Sequence, residues 1–312
     1  MKFYLALDGG TTNTRIRLLR DGVLLDTYKL SRGARSGIDD REGLLAAIQS
    51  GIRALLDGNA VPDTEVECIL VSGMLTSEHG LAPLPHLDAP AGIRELHLGM
   101  KTLSLPELSP IPFVLIPGVR TLSSIPEQSD MMRGEETELM GILRPTKGRV
   151  AYLLPGSHSK MIFTDEDGRI TDFTTFLTGE AIAVLAEHTI LKDAVSLACN
   201  TVDEDALLRG YEKAHARGLL EAVFKVRLAK NLFGESPIAT YSFFLGAILA
   251  EEIDRLLADP ATTVVIGGRV QIRHALATLL RRLSDKTVHP LTDEEVDAST
   301  YRGALAIYEY DA

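Results

Sequence analysis

Two cysteines, Cys68 and Cys199, are all that this 312-residue chain contains. That is too few for a disulfide framework, and neither has a second Cys beside it to build a zinc or iron–sulfur site. Positive charge is also scarce: 32 Lys+Arg stand against 43 Asp+Glu, for a net charge of -11. No net field gathers phosphate backbones or anionic lipid, so nucleic acid is excluded as a main partner. Nowhere do about 18 apolar residues run together. The N-terminal apolar stretch from Phe3 to Leu7 meets Asp8-Gly9-Gly10, so neither a signal peptide nor a membrane span is expected and the chain reads as cytoplasmic. Walker A and G-x-G-x-x-G sequences are missing as well, which disfavours the two commonest nucleotide folds. Ser157-His158-Ser159 lacks the G-x-S-x-G elbow of a hydrolase, and the remaining histidines show no metal-ligand spacing.

What is present is a repeated supersecondary unit. Phe3 to Leu7 reads as a short strand, followed by a polar turn over residues 8–13, a strand Thr14 to Arg20, an Asp21-Gly22 turn, and a strand Val23 to Leu30. The same shape recurs with Val150 to Leu154, a turn over residues 155–159, Lys160 to Thr164, Asp167-Gly168, and Arg169 to Thr175. Each meander leads into helical periodicity. Leu44, Leu45, Ile48, Ile52, Leu55 and Leu56 mark one helix between Glu42 and Asp57, and Val66 to Val71 then reads as a buried strand. Residues 80–130 hold most of the prolines and predict a loop-rich region with one strand at Phe113 to Ile116. Helices are expected over Gly134–Leu143, Glu180–Leu191, Asp203–Arg217, Leu219–Lys230 and Pro237–Ala258, in a segment reaching Leu283, and over Ala298–Tyr310. A strand Thr263–Ile266 ends in Gly267-Gly268. This alternation is α/β.

The two polar turns are the candidate chemistry. Gly10, Thr11, Thr12 and Asn13 offer backbone N–H groups and hydroxyls in the manner a phosphate needs, and Asp8 at the strand end could hold Mg²⁺ through water. Gly156, Ser157, His158, Ser159 and Lys160 supply a second donor set, and turns facing each other would clamp one polyphosphate. Gly267-Gly268 permits close approach of a flat ligand. Met132-Arg133-Gly134-Glu135-Glu136 opens a helix with acids, where a carboxylate could take a proton from a hydroxyl while Arg133 pairs with an anion. Thr178-Gly179-Glu180 could be a helix cap or a ligand contact.

With these residues in view, the chain resembles the actin/hexokinase/Hsp70 nucleotide-binding superfamily, and within it the 2-dehydro-3-deoxygalactonokinases. The residues that carry the resemblance are Asp8-Gly9-Gly10-Thr11-Thr12-Asn13-Thr14-Arg15, Ser72-Gly73-Met74, Met132 to Thr137, Leu154 to Lys160, Asp172 to Glu180, Leu232-Phe233-Gly234 and Leu245-Gly246. It implies two actin-like (ribonuclease H-like) α/β domains around an ATP-binding cleft. The first would span 1–143 with the sugar-acid loops and the C-terminal helix 298–312; the second would span 144–297 and bind the nucleotide. The implied reaction is ATP- and Mg²⁺-dependent phosphorylation of 2-dehydro-3-deoxy-galactonate at O6 in galactonate breakdown. Asp8 would organise Mg²⁺, Thr11, Thr12 and Asn13 the γ-phosphate with Arg15 nearby, residues 156–160 the other phosphates, and Gly267-Gly268 the nucleoside. Met74, Thr76, Ser77, Arg120, Arg133, Thr178 and Glu180 would meet the sugar acid, and Glu135 would be the general base with Glu136 as the alternative. Phosphorylation of another sugar or sugar acid, and a sugar-sensing or ATPase switch role, stay open, as does a homodimer.

Overall fold

The computed structural model describes residues 1–144 and 146–311. In chain order the elements are β1 (Phe3–Gly9), β2 (Thr14–Arg20), β3 (Val23–Leu30), α1 (Ser36–Asp39), α2 (Arg41–Gly58), β4 (Val66–Gly73), β5 (Leu87–Asp88), α3 (Ile93–Leu98), β6 (Lys101–Leu103), β7 (Phe113–Leu115), β8 (Val119–Thr121), β9 (Asp130–Met132) and α4 (Glu135–Met140). They continue with β10 (Val150–Leu154), β11 (Ser159–Thr164), β12 (Ile170–Phe176), α5 (Thr178–His188), α6 (Glu204–Arg217), α7 (Leu219–Phe233), α8 (Pro237–Ala258), β13 (Thr263–Ile266), α9 (Val270–Leu283), β14 (Thr287–Pro290) and α10 (Asp293–Tyr308). Two compact units result. Unit 1 comprises residues 1–145, 167–172 and 297–312; unit 2 comprises 146–166 and 173–296.

Each unit is built on one meander and two parallel strands. In unit 1 the order is β3-β2-β1-β4-β7, with β6 added antiparallel at the edge, and in the second sheet it is β12-β11-β10-β13-β14. β1–β2 and β10–β11 are antiparallel, while β1–β4, β4–β7, β10–β13 and β13–β14 are parallel. This order is that of an actin-like domain, and it occurs twice. Strands buried on both faces explain the near-continuous apolar runs Phe3–Leu7, Val66–Val71 and Val150–Leu154. In unit 1 Leu5, Leu7, Ile16, Ile69 and Phe113 pack with Leu44, Ile48 and Ile52 of α2. In unit 2 Leu153, Met161, Val264 and Ile266 pack with Phe244, Leu245 and Leu249 of α8. Each such side chain, buried, contributes about 1.5–3 kcal/mol before the cost of ordering the chain.

Local chemistry sets the ends of the helices. Ser236 accepts from Ala239 N and Pro237 occupies the first turn, which starts α8 where the sequence predicts. α10 begins at Asp293 rather than Ala298, because Thr292 Oγ1 accepts from Glu295 N while Glu295 accepts from Thr292 N. That capping box was legible as Thr-x-x-Glu and lengthens the expected helix by more than a turn. The proline-rich region is more structured than expected. Besides β7 it holds β5, β6, β8 and β9, each of two or three residues and too short for periodicity to reveal. Strand β14 was also not anticipated. No described helix is long and apolar enough to cross a membrane.

Candidate active site

The C-terminal ends of β1 and β4 lie side by side in unit 1, with Asp8 opposite Ser72 and Gly9 opposite Gly73. Such strand ends are where open α/β sheets place ligands. Gly73 has φ +73°, and a Cβ there would press on the carbonyl of Gly9. Gly33, after β3, touches the turn from the other side: Ala34 N donates to Gly10 O and Arg35 N to Thr11 O. Only residues without a Cβ allow these approaches. The turn so held is exposed, and the N–H groups of Thr11, Thr12 and Asn13 meet no acceptor among the described residues. Asn13 Nδ2 donates to Thr12 Oγ1 at 3.0 Å.

Asp8 lies behind this turn, 3.7 Å from the Arg15 guanidinium. Burial raises its pKa, opposed by the positive charges of Arg17 and Arg15. Arg17 is buried, ion-paired to Asp297 at 3.0 Å and stacked on Tyr301 of α10.

Helix α4 starts against the same strand ends. A Cβ on its N-cap Gly134, at φ +113°, would stand 3.1 Å from Gly73 Cα. Its two leading carboxylates differ. Glu136 is fully buried and turned back on the helix start, accepting from Gly134 N at 2.8 and 2.9 Å and from Thr137 Oγ1 at 3.1 Å. Burial first, and then Glu135, pushes its pKa up to about 8. Glu135 is half-buried and accepts from Arg133 N at 3.2 Å. Glu138, one turn further, receives a hydrogen bond from Ser299 and is also pushed up to about 8 by burial, Glu135 and Asp8.

Arg133 is committed to the protein. Its guanidinium donates to Thr76 O at 3.0 Å, Thr76 Oγ1 at 2.6 Å and Leu84 O at 2.7 Å, and lies 3.2 Å from His86 Nδ1. His86 is held to a pKa of about 4 by burial and by the charges of Arg133 and Arg120. Thr76 is buried, whereas Met74 and Ser77 are half-buried; Ser77 Oγ donates to Met74 O at 2.6 Å. Arg120, on β8, is half-buried and paired with Asp88 at 2.6 Å.

Unit 2 repeats the design around residues 155–159. Gly156 and Ser157 are exposed and His158 half-buried, and the N–H groups of all three meet no acceptor among the described residues. Gly268, at φ +74°, presses on Pro155 as Gly73 presses on Gly9, and Gly179 lies against Gly156 O as Gly33 does against Gly10 O. Gly267 N donates to Leu153 O at 2.8 Å, and Arg273, buried and ion-paired to Asp293, donates to Gly268 O at 2.7 Å. Glu180 N donates to Ser157 O at 3.1 Å, and the Glu180 carboxylate lies 3.1 Å from His158 Nε2. Lys160 is buried, its ammonium donating to Thr175 Oγ1 at 2.8 Å. Thr178 is buried too, donating to Glu252 of α8.

Residues 8–306 match the family described as 2-keto-3-deoxy-galactonokinase. The chain belongs to that family. It is 29% identical to a Rhizobium meliloti (strain 1021) protein over 98% of both chains, and 28% identical to an Escherichia coli (strain K12) protein over 88% of both. The first carries 2-dehydro-3-deoxygalactonokinase as a provisional name and the second carries it outright. A Sinorhizobium meliloti crystal structure, provisionally named likewise, covers 98% of this chain and all of its own, with a TM-score of 0.75 at 25% identity. Members of the 2-keto-3-deoxy-galactonokinase family are kinases, and ATP use follows from membership.

The structure thus gathers Asp8–Asn13, Arg15, Met74–Ser77 and Arg133–Glu136 around strand ends in unit 1, and Gly156–Lys160, Thr178–Glu180 and Gly267–Gly268 around the equivalent ends in unit 2. Arg120, on β8 opposite Met131 of β9, adds its charge to that of Arg133 around His86. Sequence reasoning missed Glu138, His86, Glu252 and Arg273. Glu138 and Glu252 look like members of charged helix faces, and no local pattern distinguishes them.

Proposed function

We propose that this chain transfers the terminal phosphoryl group of ATP to O6 of 2-dehydro-3-deoxy-galactonate, with Mg²⁺ as the accompanying cation. The observation that supports this best is the pair of exposed turns with free N–H groups in a chain of this kinase family. Phosphoryl transfer needs positioning and charge neutralisation more than covalent chemistry. Asp8, an oxygen donor at a strand end with a fifth of its side chain open, suits Mg²⁺ held through water. When bound, the cation supplies neutralising charge to the phosphate oxygens.

The turn at Thr11–Asn13 receives the γ-phosphate, with Arg15 beside it, and Gly156–Ser159 the other phosphates. Gly267-Gly268 lies against the nucleoside, so unit 2 is the nucleotide domain. Unit 1 carries the sugar-acid side through Met74, Ser77 and Arg120. Thr76, Arg133 and Thr178 act by shaping loops, since their donors are already engaged, whereas the Lys160 ammonium gives one of its three donors to Thr175 and stands with the phosphate-binding turn. Glu135, half-exposed at the start of α4, takes the proton from the attacking hydroxyl. Glu136 holds the backbone on which Glu135 stands.

The test is ADP release by the purified protein with ATP, Mg²⁺ and a panel of 2-keto-3-deoxy sugar acids, other hydroxy acids and neutral sugars, with the product identified by ³¹P NMR. A phosphomonoester on the terminal carbon of the galactonate derivative is expected. ADP release that ignores every sugar, or responds only to neutral hexoses, overturns the proposal.

A further inference from the structure

Glu252 is a carboxylate in the core of unit 2. It sits on α8 among Ile248, Leu249, Ile253 and Leu256 and is 2% exposed. Burying a carboxylate is costly unless it is hydrogen-bonded, and an apolar residue would fill this space without that cost. Both oxygens are in use. Oε2 accepts from Ser159 Oγ at 3.0 Å, and Oε1 accepts from Thr178 Oγ1. Ser159 ends the exposed turn, and Thr178 begins α5, the helix whose Gly179 and Glu180 contact Gly156 and Ser157. One side chain therefore ties the turn to the segment against which it rests.

Unit 1 supplies an internal contrast. The strand register, Asp8 opposite Arg15 and Leu154 opposite Lys160, makes Thr14 the counterpart of Ser159, each one residue before the paired base. The Thr14 hydroxyl is fully buried and has no partner among the described residues. The first turn, with Asp8 behind it, has no such carboxylate brace; the second has no acid at the position of Asp8, which is Leu154.

We propose that Glu252 is a positioning residue for the nucleotide: by holding Ser159 and Thr178 together it sets the free N–H groups of Gly156, Ser157 and His158 in the direction that receives phosphate oxygens. This rests on assigning that turn to the nucleotide. Glu252 touches no ligand and acts through the two hydroxyls.

The experiment measures ATP–Mg²⁺ binding by calorimetry and KM for ATP and for the sugar acid. The variants are Glu252→Ala, Glu252→Gln, Ser159→Ala, Thr178→Val, Gly156→Val and the exposed control Glu251→Ala. Glu252→Ala is expected to weaken ATP binding about tenfold or more, the scale of a lost buried hydrogen-bond pair. KM for the sugar acid should move about twofold at most, and Glu252→Gln, which can accept from one hydroxyl and donate to the other, should recover most of the affinity. Should Glu252→Ala not fold, Ser159→Ala and Thr178→Val each weaken ATP binding in the same direction. Unchanged ATP affinity in both of those, or in a folded Glu252→Ala, overturns the inference. So do equal rises in both KM values with a lowered melting temperature, which mark a core residue only. Gly156→Val separates the two levels: if it leaves ATP binding intact, the turn does not hold the nucleotide and both readings fall. If Gly156→Val weakens binding and Glu252→Ala does not, the inference about Glu252 falls alone.

Discussion

The two turns share a backbone solution and differ in where the charge lies. In each, a positive-φ glycine at the end of the parallel strand or just past it, Gly73 or Gly268, presses on the residue that opens the turn. A second glycine after the meander, Gly33 or Gly179, lies against the first turn carbonyl. The next N–H groups donate into the turn, from Ala34 and Arg35 in one case and Glu180 in the other. The acids diverge. Unit 1 puts Asp8 at the strand end and Glu135, Glu136 and Glu138 on the adjoining helix, whereas unit 2 has Leu154 there, with Glu252 beneath the turn and Glu180 beside its His158. The difference teaches that one backbone scaffold accepts two placements of charge: both turns expose N–H groups, while the acids stand at the strand end and on α4 in unit 1 and beneath and beside the turn, at Glu252 and Glu180, in unit 2.

The sharpest break in this comparison would come from α4, whose first turn carries two adjacent carboxylates. Glu135→Gln should lower kcat by about 10²–10⁴-fold at saturating ATP and sugar acid, the usual contribution of a general base. Glu136→Gln should leave kcat within a few-fold. Steady-state kinetics decides, and a large loss confined to Glu136→Gln reverses the assignment. Next in size, Asp8→Ala should cost about 10²–10³-fold in kcat, comparable to removing one preorganised electrostatic group. Its melting temperature should not fall, because the replaced carboxylate is disfavoured by burial. Normal turnover in the folded variant would mean that the two turns do not differ in the way their acids suggest.

The glycine pairs test the similarity. Gly73→Ala and Gly268→Ala each force a Cβ into a left-handed backbone and against a neighbouring carbonyl, for an expected loss of about 1–3 kcal/mol of stability. Denaturant titration should give similar losses, with Gly268→Ala also weakening ATP binding. A loss at one position only would show that the repeat is not mechanically equivalent. A separate test concerns Glu138. Its folded pKa of about 8 lies above an unfolded value of about 4.3, so its favourable contribution is complete below the unfolded value and is lost as pH rises toward 8. Glu138→Gln should therefore melt like the parent at pH 4.5 and several degrees higher at pH 8. Parallel melting curves across that range would remove burial as the force on this group.

Much of this was legible from the chain itself. Alternating glycine-rich turns and short apolar runs placed β1, β2, β3, β10 and β11 within a residue or two, and Pro237 and Ser236 set the start of α8, because those signals act through neighbours in sequence. Asp8 and both turns could be named for the same reason. Only tertiary structure decided which polar groups remain available. Arg133 and Thr178 suggest ligand contacts in sequence, yet their donors are taken by Thr76, Leu84 and Glu252, in pairings that span dozens of residues. Glu135 and Glu136 are chemically identical neighbours until a helix start encloses one and leaves the other half-exposed. Burial and long-range hydrogen bonding are properties of packing, which residue type and spacing bound without specifying.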